Sequence, residues 1–181
     1  MTTNDIADII IKDLLRRPFP IFLTTYHGHG MDEADVLGIN RNGYIYEYEI
    51  KRSRSDFRAE FKHKEYKHKK LRGRNAIKVY DEWKNGKRTG GKYECILIPN
   101  RYFFVCPEGL IKPEEVPEYA GLIYTDKRFL YSNELIKAAP LLHKNKANKR
   151  IYERVANILS QRIIFGCSYY THQQKMKENQ S

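Results

Sequence analysis

Asp35, Glu49 and Lys51 are the residues best placed to do chemistry. They lie in Ala34-Asp35-Val36-Leu37-Gly38-Ile39 and in Glu47-Tyr48-Glu49-Ile50-Lys51, separated by Arg41-Asn42-Gly43. If Arg41-Asn42-Gly43 form a three-residue hairpin loop with Gly43 in the left-handed region it favours, Asn40 pairs with Tyr44. Counting back, Asp35 then opposes Glu49. Directly opposed residues bring their Cβ atoms to about 4.5–5.5 Å, where like charges destabilise a sheet. A divalent cation offsets that repulsion, and Mg²⁺, with Mn²⁺ as its substitute, is a hard ion that takes a few carboxylate oxygens plus water and substrate phosphate. Period-two alternation places Lys51 on the same face as Glu49 and opposes Glu33 to Lys51, so Glu33 is a candidate support. A slip of one residue would separate Asp35 from Glu49, and the same three residues also suit the solvent face of an ordinary strand pair.

The elements that would position these residues follow from pattern. Asn4 to Arg17 has Ile6, Ile9, Ile10 and Leu14 at helical spacing after a capping residue, and Pro18 and Pro20 end it. Phe19–Thr25, Ala34–Asn40 and Tyr44–Arg52 read as strands, the last two as a hairpin. Ser55–Arg72 reads as one basic amphipathic helix with Phe57 and Phe61 on its apolar face. Ile77–Trp83 suits helix or strand, and Lys84–Lys92 reads as a flexible basic loop. Glu94–Pro99, Arg101–Cys106, Gly121–Thr125 and Arg128–Lys137 read as strands, and Asn148–Phe165 as a closing helix. Helix, strands, helix, strands, helix is an α/β (α+β) arrangement in a single domain over residues 1–170, with a polar, frayed tail over 171–181.

Several of these pieces resemble the PD-(D/E)xK nuclease superfamily, and within it the MmcB-like DNA-repair nucleases. The resemblance is carried by Glu33-Ala34-Asp35-Val36-Leu37, by Glu49-Ile50-Lys51 followed by Ser53, Asp56 and Phe57, and by Tyr102-Phe103-Phe104-Val105-Cys106-Pro107. It continues through Gly109-Leu110-Ile111, Pro113-Glu114-Glu115-Val116-Pro117, Gly121-Leu122-Ile123 and Lys137-Ala138-Ala139-Pro140, so it covers roughly Asp5 to Leu142. The resemblance implies a restriction-endonuclease-like mixed sheet flanked by helices. It further implies that Asp35, Glu49 and the backbone carbonyl of Ile50 bind Mg²⁺, and that Lys51 is the catalytic lysine. Asp13 and Asp8, on the first helix, are candidates to approach the site as an acidic helix residue does in some members, and Ser53 is a further candidate support. Ala34 stands where the nominal motif has proline, and Lys84–Tyr93 is an insertion that would alter substrate choice. Many nucleases of this fold cut duplexes as dimers, so a homodimer is an open expectation. The chemistry implied is phosphodiester hydrolysis: the metal polarises a phosphoryl oxygen and lowers the pKa of bound water, and Lys51 places the nucleophile.

The charge agrees with a polyanionic partner. The 33 Lys and Arg exceed the 22 Asp and Glu, leaving +11. Between Lys51 and Arg74, eleven basic residues face three acids, so about eight of those charges fall on one segment. Arg52, Arg54, Arg58, Lys62, Lys69 and Arg72 are the candidate phosphate contacts, with salt-dependent binding as the consequence. His27 and His29, in a Gly loop without a nearby Cys pair, suit substrate contact better than zinc. Tyr66 and His68 suit local packing better than base stacking.

Composition closes other routes. The longest apolar runs fall far short of the roughly 18 residues of a spanning helix, the first seventeen residues lack the pattern of a secretory signal, and three widely spaced cysteines suit a reducing cytoplasm. The expected function is a Mg²⁺-dependent DNA nuclease of repair, defence or phage DNA metabolism. Two alternatives stay open: a non-catalytic nucleic-acid-binding module of the same fold, and a basic RNA-binding protein, which explains the charge but not the opposed carboxylates.

Overall fold

Thr2 begins the first helix, α1 (Thr3–Arg16), by accepting a hydrogen bond from the Asp5 N–H while the Asp5 carboxylate accepts from the Thr2 N–H. This reciprocal cap satisfies two amide donors that a helix start otherwise leaves open, and it sets the start two residues ahead of the Asn4 expected from sequence. The computed structural model describes residues 2–17, 19, 21–26, 31–126 and 132–178. Ile6, Ile10 and Leu14, one helical turn apart, are fully buried along one stripe of α1.

Six strands form one mixed sheet in the order β1 (Ile21–Tyr26), β2 (Ala34–Ile39), β3 (Ile45–Ile50), β6 (Arg101–Pro107), β7 (Ala120–Asp126) and β8 (Ser132–Lys137). The β3–β6 and β6–β7 pairs are parallel and the others antiparallel. Parallel strands are covered on both faces, so Tyr102-Phe103-Phe104-Val105-Cys106 reads as an unbroken buried run. On one face α1 packs against Val36, Tyr48, Ile50, Phe103 and Val105. On the other, α2 (Arg54–His63) and α3 (Glu65–Gly73) cover Tyr102, Phe104 and Leu122 through Phe57 and Leu71. The start of α4 (Lys149–Glu178) covers Leu37, Ile39 and Ile45 through Ile151 and Val155. The chain is thus a single α+β domain, a mixed sheet with helices on both faces. Among the described residues no helix is long and apolar enough to cross a membrane.

Three expectations change. The basic helix breaks at Lys64 (φ −114°, ψ 34°) into α2 and α3. The segment read as a flexible basic loop is ordered as a two-stranded ribbon of β4 (Ile77–Lys84) and β5 (Lys87–Ile96), outside the main sheet. Its turn is Asn85-Gly86, with φ of 50° and 75°, the residue pair that tight hairpins favour because both positions need positive φ. Glu94–Ile96, expected as the start of a strand, is the last part of β5 in this ribbon. Finally, α4 continues as helix to Glu178, through most of the segment expected to fray.

Candidate functional site

The β2–β3 hairpin closes as its loop length dictates. Gly43 has φ 81°, the Asn40 N–H donates to the Tyr44 carbonyl at 3.0 Å, and Asn40 Oδ1 accepts from the Asn42 and Tyr44 N–H groups. The register runs Ile39↔Ile45, Gly38↔Tyr46, Leu37↔Glu47 and Val36↔Tyr48. The ladder ends there, and Asp35 and Glu49 are the next residues on the two strands, with the Asp35 carboxylate reaching the Ile50 N–H. Both line a cleft of about 570 Å³ together with Thr3, Ile50, Lys51, Ser53, Glu60 and Lys64.

The two carboxylates differ in their partners. Asp35 Oδ2 accepts the Ile50 N–H at 2.7 Å, and among the described residues no ammonium bonds to it. Burial raises its pKa, and the charge of Glu49 raises it further. Glu49, only 2% exposed, accepts from three lysines: Oε1 from Lys51 Nζ at 3.0 Å and Lys64 Nζ at 2.6 Å, and Oε2 from Lys67 Nζ at 3.0 Å. Burial pushes Glu49 up, but the ammoniums of Lys67, Lys51 and Lys64 outweigh it and hold the carboxyl below its usual range. Lys67 also lies 2.5 Å from Glu47 Oε1 and donates to the Glu33 carbonyl at 2.8 Å. Burial lifts Glu47 to about 7 against the pull of that ammonium.

Lys51 is fixed from a second side. Its Nζ donates to Glu60 Oε2 at 2.8 Å, Glu60 Oε1 meets His68 Nε2 at 3.2 Å, and His68 Nδ1 meets the Tyr119 hydroxyl at 2.9 Å. Tyr119, His68, Glu60, Lys51 and Glu49 therefore form one buried chain. Burial opposes the charge on Lys51, yet Glu49 and Glu60 together hold it protonated, with a raised pKa.

Sequence reasoning does not mark Glu47, Glu60, Lys64, Lys67 or His68 as site residues. A signal is present: Phe57, Glu60, Phe61, Lys64, Lys67, His68 and Leu71 recur at helical i, i+3, i+4 spacing, so the apolar stripe carries these polar groups inward with it. Of the eleven basic residues from Lys51 to Arg74, four point into the domain: Lys51, Lys64, Lys67, and Lys70, which pairs with Asp32 at 2.5 Å. Arg54 is exposed but tied to Glu115 and to the Leu110 carbonyl, so it braces α2 against the 3-10 turn Pro113–Glu115. Arg52, Arg58, Lys62, Lys69 and Arg72 are exposed.

The remaining candidates sort as follows. Ser53 caps α2, accepting from the Asp56 N–H. Asp13 pairs with Arg17 at 3.0 Å and does not line the cleft; Thr3 is the α1 residue that does. Glu33 is exposed and reaches the network through its main chain. His27 and His29 lie outside the described residues. His68 packs, with its ring centroid 4.8 Å from that of Phe61, and Tyr66 is 72% exposed beneath the Lys70 ammonium.

Among the described residues no group of three His, Cys, Asp or Glu side chains is placed to hold a metal ion. Two carboxylates and the Ile50 carbonyl remain as hard oxygen donors, a set small enough for a cation such as Mg²⁺ that keeps several waters. The charge of Glu49 still raises the Asp35 pKa although Lys64 and Lys51 offset part of it, and a cation between the two carboxylates would offset more. Glu49 Oε1 would have to exchange an ammonium for it, and Lys64, about one third exposed, is the partner with room to leave.

No protein-family model matches the chain, and no curated protein matches it either. Among solved structures, a protein of unknown function from Silicibacter pomeroyi, SPO1766, is similar in fold. The two chains are 20% identical, with a TM-score of 0.59 over 90% of this chain and 89% of that one.

Proposed function

We propose that the protein is a metal-dependent DNA nuclease that hydrolyses phosphodiester bonds. The observation that carries this reading is the juxtaposition of Asp35 and Glu49 in one cleft with a protonated Lys51 beside them. Asp35, Glu49 and the Ile50 carbonyl would hold Mg²⁺, or Mn²⁺ in its place. A bound cation supplies Lewis acidity at the phosphoryl oxygen and lowers the pKa of a water. Lys51 is oriented before substrate arrives, because Glu49 and Glu60 hold its ammonium from two sides; it balances charge on a non-bridging oxygen and positions the nucleophile. Arg52, Arg58, Lys62, Lys69 and Arg72 grip the phosphate backbone through contacts that weaken with salt.

A non-catalytic nucleic-acid-binding module is the second reading, favoured by the saturation of Glu49 with three ammoniums. Incubation with duplex, single-stranded and branched DNA and with RNA, in Mg²⁺, Mn²⁺ or EDTA, separates the two. The nuclease cuts DNA with either metal, stops in EDTA, and loses roughly a hundredfold or more in Lys51→Ala and Asp35→Ala, the scale of removing one electrostatic group from an active site. Cleavage that survives in both variants overturns the site. Binding without cleavage under every metal establishes the module.

A further inference from the structure

The β4–β5 ribbon is anchored at one end and bare at the other. At its root Ile96 and Ile98 are buried on the sheet face that carries Glu47 and Glu49. The Leu97 N–H donates to the Ala76 carbonyl, Asn148 Nδ2 donates to the Glu94 carbonyl at 2.9 Å, and the Arg150 guanidinium lies 3.6 Å above the Tyr93 ring. Beyond the Tyr80–Tyr93 stack the arm enters solvent, and residues 83–90 are all exposed. At about 3.3 Å per residue its eight-residue first strand is about 25 Å long.

Two features of the tip oppose a merely structural role. Trp83, the single tryptophan of the chain, is 62% exposed. The register sets Lys84 directly opposite Lys87 across the turn, where two like charges repel; Lys78 and Lys92 add exposed positive charge along the arm. Two strands without a third are marginally stable in water, so an indole and an opposed pair of ammoniums are costly ornaments unless a partner meets them. The partner these call for is anionic and offers apolar contact, as the thymine methyls of a major groove do. The major groove of a duplex admits a two-stranded ribbon, and its walls are phosphates.

Building on the nuclease reading, we propose that this ribbon is a substrate-holding arm that enters the major groove of duplex nucleic acid, with Lys84 and Lys87 on phosphates and Trp83 against the bases. The chain itself links arm and cleft: α3, whose Lys67 holds Glu49, runs through Arg72 and Arg74 directly into β4.

Because Trp83 is unique, its emission reports on the arm alone. A fluorescently labelled duplex is titrated with protein in EDTA and again in Ca²⁺, following label anisotropy and Trp83 emission together. Trp83 emission is expected to change in step with anisotropy. Lys84→Glu with Lys87→Glu is expected to weaken binding at least tenfold and to lower the slope of log K against log salt by about 2, near 0.9 for each phosphate no longer neutralised. Duplex binding with unmoved Trp83 emission, or an unchanged slope in the double variant, overturns the arm and leaves the nuclease reading intact. A Trp83 response to single strands but not to duplex also overturns it. Absence of duplex binding by anisotropy under both conditions overturns the arm and the DNA reading together.

Discussion

Two of the three lysines on Glu49, Lys64 and Lys67, are of opposite character, and comparing them tests the role of burial. Lys67 is 4% exposed and Lys64 31%. Lys67→Met keeps most of the side-chain volume and removes an ammonium that lies 2.5 Å from Glu47 and 3.0 Å from Glu49. Among the described residues Glu47 has no other ammonium within ion-pair distance, and it is 1% exposed. Breaking a buried pair by removing one partner costs about 3–5 kcal/mol, because a charge is left without solvent or counterion. Glu47 can escape part of this by taking a proton, which its pKa of about 7 makes easy near neutrality; that places the expected loss near the lower end, about 3 kcal/mol. For a domain of this size, 3 kcal/mol lowers Tm by roughly 6–12 °C. Lys64→Met removes a partly solvated ammonium and should cost about 1 kcal/mol or less. Adding Glu47→Gln to Lys67→Met removes the stranded carboxylate and should recover about 1–2 kcal/mol, a coupling expected of groups in contact. Urea unfolding followed by far-ultraviolet circular dichroism measures all three; Trp83 sits on the ribbon and does not report on this core. Equal losses in Lys67→Met and Lys64→Met would refute the claim that burial decides the worth of these ion pairs.

Removing Lys64 leaves Glu49 Oε1 with Lys51 alone, so Lys64→Met should bind Mn²⁺ about fivefold tighter by titration calorimetry, the equivalent of about 1 kcal/mol; unchanged or weaker binding would show that Lys64 does not compete for the cation position. His143 lies away from the site, its Nε2 3.0 Å from the Ile98 carbonyl and its Nδ1 accepting the Asn145 N–H at 3.2 Å, the pattern of a neutral ring. Burial lowers its pKa from the ordinary 6.5. Below that value the unfolded chain takes up a proton that the folded one refuses, so His143's share of stability falls as pH drops from about 6.5 through its folded pKa. His143→Gln should flatten that decline in denaturation measured from pH 7 to pH 5, and an unaltered slope would refute it. A Cβ on Gly121 would stand 2.5 Å from Phe103 Cδ1 and 2.7 Å from the Ala139 backbone nitrogen; Gly121→Ala should therefore cost about 1–3 kcal/mol, and thermal stability within about 1 °C of the parent would contradict the close β6–β7–β8 packing.

The parts legible in the linear chain are those governed by short-range geometry. Gly43 after Arg41-Asn42 determines a three-residue loop, and loop length determines register up to Val36↔Tyr48, so the arrival of Asp35 and Glu49 in one cleft follows from fifteen consecutive residues. The helical stripe of Ile6, Ile10 and Leu14 and the mixed α+β class were equally readable. The ribbon was not read from the chain: Asn85-Gly86 is a local turn signal, but the glycines and lysines that follow it suggest a loop.

What the tertiary structure alone decided is which way the basic segment's charges point. Counted along the chain, the eleven cations from Lys51 to Arg74 form a single excess aimed at a polyanion. Folded, α3 lies over β3, and Lys64 and Lys67 meet Glu47 and Glu49 from a strand fifteen or more residues away. An ammonium placed against a buried carboxylate offsets its desolvation only when the partner is already in place, and that partner is set by the packing of Phe57 and Leu71 on Tyr102 and Phe104, not by any neighbour in sequence. Composition can therefore count the charge, while only the packed sheet and helices divide it between neutralising the carboxylates and facing outward.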